Sequence, residues 1–183
     1  MKNAIKAVVN EVSTVLSNVN IHEALSLSIH LSKAKRIFIC GEGRSGLMGK
    51  VFAMRLMHGG FHVYVIGETI TPSIKSGDLL ITISGSGSTG SLLQFAKKAK
   101  EVGAKNFLVT TNRDSKISQI CDGVLVIPAA TKFRLSNEPE TIQPLGNQFD
   151  QSVHLLLDAI LIFTLSNSGN TNEMMTRRHA NLE

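Results

Sequence analysis

The stretch Ser84-Gly85-Ser86-Gly87-Ser88-Thr89-Gly90 follows a short apolar run at residues 79–83 and leads into a segment with helical spacing that begins near Ser91. Glycines let a backbone approach a ligand closely, and the N–H groups of a helix start, together with Ser and Thr hydroxyls, suit phosphate oxygens. Open α/β sheets bind ligands at the carboxyl ends of their strands. The stretch therefore predicts a parallel sheet with a phosphate site at its edge, the alternative being a flexible Gly/Ser turn.

Further apolar runs of strand length occur at residues 36–40, 63–66, 107–110 and 124–127. Segments with helical spacing, such as 47–57 and 91–102, separate most of these runs. Strands that are apolar throughout and alternate with helices are typical of a doubly wound parallel sheet. We expect an α/β fold with one five-stranded parallel sheet flanked by helices, a flavodoxin-like α/β/α sandwich.

The remaining segments complete one predicted domain of 183 residues. Residues 1–35 carry two series of apolar positions at helical spacing, and residues 36–167 hold the sheet and its flanking helices. Within that core, a polar loop at 128–146 is long enough to suggest a functional or mobile segment. A helix with an apolar face follows at 149–163, and a short polar tail at 168–183 closes the chain.

Composition narrows the class of protein. The formal charge is +5, but the basic residues are scattered and only 5% of residues are aromatic, which favours a small anionic ligand over nucleic acid. No run of about 18 apolar residues and no signal-peptide pattern occurs, so we expect a cytoplasmic protein without a membrane partner. Cys40 and Cys121 lie in apolar runs without CxxC spacing, which predicts buried free thiols and no metal site.

A second glycine-rich stretch, residues 41–46, matches the G-x-G-x-x-G pattern of dinucleotide sites, and Glu68 lies near the usual acidic position. A chain of this length has room for little beyond a cofactor domain, so the dinucleotide reading stays a minor alternative. The serine-rich stretch is not a nucleotide-triphosphate loop either, because Ser91 stands where that loop has its lysine.

Several stretches resemble one known family. They are Gly-Glu-Gly-Arg-Ser-Gly-Leu-Met at 41–48, Phe-Ala-Met-Arg-Leu-Met-His at 52–58, Ser-Gly-Ser-Gly at 84–87, Thr-Ile-Gln-Pro-Leu-Gly at 141–146 and His-Ala-Asn-Leu-Glu at 179–183. Together they resemble the 6-phospho-3-hexuloisomerase family of the sugar isomerase (SIS) domain superfamily, over essentially the whole chain. The serine-rich stretch indicates only the superfamily, whereas the helix at 52–58 and the terminal pentapeptide are more specific.

The resemblance implies an isomerase that interconverts D-arabino-hex-3-ulose 6-phosphate and D-fructose 6-phosphate through a cis-enediol. It implies no metal or organic cofactor, and a place in the ribulose monophosphate pathway. The implied phosphate ligands are Ser84, Ser86 and Thr89 with backbone donors from Gly85 and Gly87. The adjacent loop brings Gly43, Arg44 and Ser45, of which Arg44 is expected to neutralise the substrate or the enediolate.

For the catalytic base, the family has a glutamate just after the Gln-Pro-x-Gly stretch, and the matching residue here is Asp150, one methylene shorter. A second departure is Ser88, where the superfamily often has glutamate. His58, one turn after Arg55, is expected to move protons among substrate oxygens. The family's terminal tail implies that His179 reaches a neighbouring subunit's site, and the resemblance implies a homotetramer with active sites at subunit interfaces.

Two other interpretations stay open. The first is a SIS-type sensor that binds a sugar phosphate without turning it over; such regulators carry a helix-turn-helix domain ahead of the SIS part, and residues 1–35 read as two plain amphipathic helices. The second is an isomerase for another sugar phosphate, which the departures at Asp150 and Ser88 allow.

Overall fold

The computed structural model describes residues 1–182, so Glu183 of the predicted tail lies outside the described residues. The helices are α1 (Lys2–Ser17), α2 (Ile21–Lys33), α3 (Gly43–His58), α4 (Gly90–Glu101), α5 (Asn147–Ser166) and α6 (Asn172–Arg177). The strands are β1 (Ile37–Gly41), β2 (Val63–Val65), β3 (Leu79–Ile83), β4 (Lys105–Thr110) and β5 (Gly123–Val126).

The five strands form one sheet in the order β2-β1-β3-β4-β5, and every pair is parallel. This order, with helices on both faces of the sheet, confirms the predicted doubly wound α/β fold. The prediction that helices separate most strands was too generous, because α-helices occupy two of the four connections, α3 after β1 and α4 after β3. The order reverses direction between β1 and β3, and at such a switch point the loops that follow two neighbouring strands diverge and leave a crevice. Both glycine-rich stretches follow these two strands.

Alternate residues of the strands face two different apolar layers. Ile37 and Ile39 of β1 join the larger layer with helices α2, α3 and α5. Phe38 and Cys40 of the same strand join the smaller layer, which α4 covers. Burial on both faces explains why the strands read as continuous apolar runs rather than as alternating ones.

Helices α3 and α5 lie side by side and run in the same direction. At their amino ends the Ser45 hydroxyl bonds to the Asp150 carboxylate. At their carboxyl ends the side chain of Leu165 lies against Gly59, where an added Cβ would come within 3.1 Å of it. The pair therefore has one end at the carboxyl edge of the sheet and the other end at the opposite side of the molecule.

Helix α5 is the one helix within residues 1–182 that is long and apolar enough to cross a membrane. Half of that stretch is buried, and it packs against α1, α2 and α3. These contacts are those of a core helix in a globular domain.

The two thiols differ in their surroundings. Cys40 is buried, as expected, whereas Cys121 is only partly buried, which the apolar run around it did not indicate. Burial raises the pKa of the Cys40 thiol to about 11 and that of Cys121 to about 12. Both side chains are therefore neutral thiols at physiological pH, and neither is a reactive thiolate.

Residues 128–146 form the predicted loop without helix or strand, but side chains fix its path. Arg134 donates to the carbonyl groups of Gln143 and Leu145 at 2.5 and 2.8 Å. Glu11 of α1 accepts from the Ile142 amide and from the Gln143 side chain, each at 3.0 Å. The loop is therefore tied both to itself and to the first helix.

The tail contains helix α6, which the sequence did not predict. The Thr171 side chain accepts a hydrogen bond from the Met174 amide and caps this helix. Arg178 just beyond it donates to the carbonyl oxygen of His58 at 3.0 Å, which fixes the tail to the end of α3.

Candidate active site

A cavity of about 470 Å³ opens at the carboxyl edge of the sheet, where the loops after β1, β3 and β5 meet the start of α5. Five predicted site residues line it: Arg44, Ser45, Gly85, Ser86 and Asp150. The remaining lining residues come from three segments: the glycine-rich loop at 41–46 after β1, called the first glycine loop from here on, the loop at 128–146, and α5. They are Glu42, Thr131, Lys132, Phe133, Pro144, Leu145, Gly146, Asn147 and Phe149.

The first glycine loop places Arg44 and Ser45 at the rim of this cavity. A Cβ on Gly46 would lie 2.5 Å from the Gly41 carbonyl oxygen, so glycine is required for α3 to start directly against β1. Gly43 has a positive φ of 57°, which turns the chain into the helix. Gly43 itself does not line the 470 Å³ cavity; it borders a smaller one of about 130 Å³.

The dinucleotide interpretation finds little support in this geometry. The glycines of residues 41–46 serve the close approach of β1 and α3. Glu68, the candidate ribose ligand, instead pairs with Lys50 of α3 at 2.6 Å.

The serine loop after β3 has a fixed shape. The buried Ser84 hydroxyl oxygen accepts a hydrogen bond from the Gly87 amide at 3.2 Å. Gly87 has a positive φ of 61°, and a Cβ there would lie 2.1 Å from the Ser115 hydroxyl. Thr110 and Thr111 both donate to the Gly85 carbonyl oxygen at 2.9 Å. These contacts argue against a flexible turn and for a built ligand loop.

Only some of the predicted phosphate ligands reach the surface of the cavity. Gly85 and Ser86 line the cavity, whereas Ser84, Gly87 and Thr89 lie behind or beside that surface. The hydroxyl groups of Ser84 and Thr89 are 3.4 Å apart, so they face a common point.

Asp150 is buried at the start of α5, with 5% of its surface exposed. The Ser45 hydroxyl donates to its Oδ1 at 2.7 Å, and the Arg44 Nε lies 3.7 Å from its Oδ2. Burial raises the pKa of Asp150, while the hydrogen bond from Ser45 and the charge of Arg44 act in the lowering direction without cancelling the rise. A carboxylate poised in this way can accept a proton more readily than an exposed aspartate can.

His58 and His179 lie together, but not at this cavity. Their rings are stacked with centroids 5.2 Å apart. Burial, His179 and Arg55 together lower the pKa of His58, so the neutral imidazole is favoured. His58 is the last residue of α3, and at 1.5 Å per residue about 22 Å of helix separates it from Gly43. Within one chain neither histidine reaches the cavity that Asp150 lines.

Sequence reasoning missed several lining residues, of which Glu42, Lys132 and Phe133 carry the most chemistry. Glu42 accepts a hydrogen bond from Ser91 at 2.8 Å and so links the two glycine loops. The Lys132 ammonium lies 5.1 Å from the centre of the Phe133 ring. A basic residue beside an aromatic one in a long loop after the last strand was the available signal for this pair. Among residues 1–182, no three His, Cys, Asp or Glu side chains cluster in a way that could hold a metal ion.

Comparison with known protein families places the chain in one of them. Residues 30–139 match the family model described as the SIS domain, which is more than half of the chain. This chain belongs to the SIS domain family. The matched residues include both glycine loops and all five strands of the sheet.

Relatives within the SIS domain family point to one activity. The chain is 39% identical to the 3-hexulose-6-phosphate isomerase of Bacillus subtilis (strain 168), over 96% of this chain and 95% of that protein. It is 36% identical to the 3-hexulose-6-phosphate isomerase of Mycobacterium gastri, over 99% of this chain and 90% of that protein. These similarities confirm the resemblance to the 6-phospho-3-hexuloisomerase family.

A solved structure from Methanococcus jannaschii superposes on this SIS domain chain with a TM-score of 0.86 and 32% identity, covering 99% of each chain. That structure was described as one that infers a molecular function of 3-hexulose-6-phosphate isomerase. The fold of this chain is therefore one already known from the structure of a relative.

Proposed function

We propose that this chain is a 3-hexulose-6-phosphate isomerase that interconverts D-arabino-hex-3-ulose 6-phosphate and D-fructose 6-phosphate. The observation that carries the proposal is the position of Asp150. This buried carboxylate, with its raised pKa, lies across one cavity from the serine loop. Relatives at 36% and 39% identity that carry the name of this activity support the same substrate.

In the proposed complex, the serine loop binds the substrate phosphate. Ser84, Ser86 and Thr89 offer hydroxyl groups, and Gly85 in the cavity wall offers its backbone N–H. The Gly87 amide supports the loop instead, because it already donates to the Ser84 hydroxyl. The loop precedes α4 directly, so the positive end of that helix also favours an anion there. Binding at one end of the open sugar leaves the carbonyl end free to extend toward α5.

Asp150 is the base in this proposal. Starting from the hexulose phosphate, its carboxylate takes the proton from carbon 2, and the electron pair forms the double bond between carbons 2 and 3. The carbonyl oxygen on carbon 3 gains a proton from a second acid–base group, for which we propose the His179 imidazole of a neighbouring subunit, so a cis-enediol results. The same imidazole takes the proton back from the oxygen on carbon 2 in the second half of the reaction. Asp150 then returns a proton to carbon 3 while the oxygen on carbon 2 loses its own, which leaves the carbonyl of fructose 6-phosphate. The isomerisation is therefore neutral in protons and electrons.

Arg44 and Ser45 have supporting roles in this scheme. The guanidinium of Arg44 lies 3.7 Å from the Asp150 carboxylate and is half-exposed toward the cavity. A cation there stabilises negative charge that develops on the enediol oxygens. Ser45 holds one carboxylate oxygen, so the other is oriented toward the substrate.

The proposal includes an oligomer. His58 and His179 lie about 22 Å from the Asp150 end of their own α3 and α5. Apolar side chains on the outer faces of α1, α3 and α5 are exposed, among them Val9, Met54 and Ile162. We infer that another copy packs here, in a homotetramer whose tails supply His179 to neighbouring sites. We further place the enzyme in the cytoplasm, within the ribulose monophosphate pathway.

A turnover assay tests the proposed function. The purified chain is incubated with the 3-hexulose phosphate, and in parallel with pentose, other hexose and heptose phosphates, while products are separated by chromatography. We expect turnover of the 3-hexulose phosphate to exceed that of every other substrate. Turnover of a different sugar phosphate would assign the chain to another SIS isomerase, as the departures at Asp150 and Ser88 allow. Binding without any turnover would identify a sensor.

A further inference from the structure

The proposed phosphate loop contains no charged side chain. Residues 84–91 offer hydroxyl and N–H donors only. A phosphate monoester carries a charge of roughly −1.5 to −2 at pH 7, and a cation beside it adds a charge–charge attraction that neutral donors do not supply. A cation from another segment would therefore complete the site.

Four ionisable side chains line the cavity: Glu42, Arg44, Lys132 and Asp150. Arg44 lies beside the Asp150 carboxylate, so its charge balances the base. Glu42 accepts a hydrogen bond from Ser91 and adds negative charge near the loop. Lys132 makes no ion pair with any residue in the range 1–182, so it is the cation of this cavity that is free to pair with the substrate phosphate.

The backbone that carries Lys132 is fixed while its side chain is exposed. The preceding residue, Thr131, donates its amide and hydroxyl hydrogens to Glu138 at 2.9 and 2.6 Å. The ammonium of Lys132 rests 5.1 Å from the centre of the half-exposed Phe133 ring. A cation–π contact at an exposed site is weak, so a phosphate dianion can displace it.

We propose that Lys132 is the cationic ligand of the substrate phosphate in this isomerase. The inference rests on the proposed function and extends it to a residue of the long loop that resemblance did not single out. On phosphate binding, the ammonium leaves the Phe133 ring and pairs with the phosphate oxygens held by the serine loop. The long loop thereby contributes affinity for every phosphorylated ligand of this site.

The test measures binding of fructose 6-phosphate and of inorganic phosphate by calorimetry at several salt concentrations. The variants are Lys132→Met and Lys132→Arg, and the matched control is Lys97→Met on the exposed side of α4, which removes the same charge away from the cavity. Thermal unfolding of each variant checks that the fold is intact.

For Lys132→Met we expect the Kd for fructose 6-phosphate to rise on the order of tenfold to a hundredfold, as for the loss of one charge-assisted hydrogen bond. The Kd of this variant for inorganic phosphate should rise as well. For both ligands, its Kd should change less with salt concentration than the Kd of the parent does. Lys132→Arg should restore most of the affinity, and Lys97→Met should bind like the parent.

Equal Kd values for Lys132→Met and Lys97→Met would overturn the proposal. A fall in kcat with unchanged Kd would also overturn it, because Lys132 would then act at the reacting oxygens. Turnover by the parent chain tests the proposed function separately. If the parent failed to isomerise the hexulose phosphate, binding of inorganic phosphate would still decide the role of Lys132.

Discussion

The Ser45 hydroxyl donates a hydrogen bond of 2.7 Å to Asp150, across 105 positions of sequence. The bond joins the starts of α3 and α5, so the first glycine loop holds the proposed base in place. A loop that matches a dinucleotide motif in sequence thereby supports the buried carboxylate of Asp150.

Replacement of Asp150 separates binding from proton transfer. Asp150→Asn should bind fructose 6-phosphate like the parent, yet lower kcat by roughly 10² to 10⁴-fold because the base is gone. Exchange of the substrate's carbon-bound proton with deuterated solvent, followed by NMR, should stop. Asp150→Glu should retain or raise turnover, since the family resemblance places a glutamate here. An Asn variant with parental turnover would reduce Asp150 to a helix-start residue.

Removal of the Ser45 hydroxyl should shift the pH profile. The hydrogen bond from Ser45 acts to lower the pKa of Asp150, so Ser45→Ala raises that pKa further. The acid limb of kcat/KM reports the ionisation of the base in the free enzyme and should move to higher pH. Any limb due to the substrate phosphate is common to both proteins and cancels in the comparison. Ser17→Ala on the exposed side of α1 is the control, and an unshifted limb in Ser45→Ala would contradict the assignment.

Asp150 should also cost stability at neutral pH. Its pKa is raised in the folded chain, so the protonated form stabilises the fold and that contribution is lost as pH rises through the folded pKa. Asp150→Asn should therefore unfold at higher urea concentration than the parent at pH 7, with a gap that narrows as pH falls toward about 4. The exposed Asp114→Asn is the matched control. A gap that widened toward acid would mean that the pKa is lowered instead.

Loss of two hydroxyl groups should weaken the phosphate site. Ser84→Ala combined with Ser86→Ala should reduce affinity for fructose 6-phosphate by roughly 1.5–3 kcal/mol per lost charge-assisted bond, with the fold retained. The comparison variant is Ser88→Ala, an exposed neighbour whose hydroxyl bonds back to the Ser86 carbonyl oxygen. Calorimetry should separate the two proteins clearly. Equal affinities would remove the serine loop from the phosphate assignment.

Mixed oligomers test whether sites are shared between subunits. Asp150→Asn and His179→Ala should each be inactive alone, because each lacks one part of every site. Chains co-expressed in equal amounts should recover about a quarter of the sites if a site takes Asp150 from one subunit and His179 from its neighbour. Light scattering gives the oligomeric state of the same samples. A fully active monomer, or no recovery in mixed oligomers, would contradict shared sites.

Much of the fold could be predicted because both faces of each strand are buried. The strands began within about two residues of the predicted positions, since continuous apolar runs bounded by glycine or polar residues mark them clearly. The order of strands could not be read from the same pattern. Helix α6 was missed because Gly169 and Asn170 look like a helix end, and only the capping Thr171 signalled a restart.

The site could be predicted only where chemistry is local in sequence. The serine loop could be predicted from its Gly, Ser and Thr content, and Asp150 was predicted from the family resemblance. The bond from Ser45 and the entry of Lys132 into the cavity depend on how distant segments fold against each other. No local pattern encodes such contacts. The separation of His58 from the cavity likewise follows from the length and direction of α3, which sequence spacing alone did not relate to the start of α5.

Because of Glu11, the conformation of the loop at 128–146 depends on the first helix. Its carboxylate holds Ile142 and Gln143, so a segment far along the chain keeps its shape only while residue 11 can accept those bonds. Substitutions at residue 11 are therefore coupled to substitutions in the loop, and we expect the two to occur together during evolution. A chimera that takes residues 128–146 from a relative, but not the residue at position 11 that accompanies them, would carry the loop's sequence without its conformation.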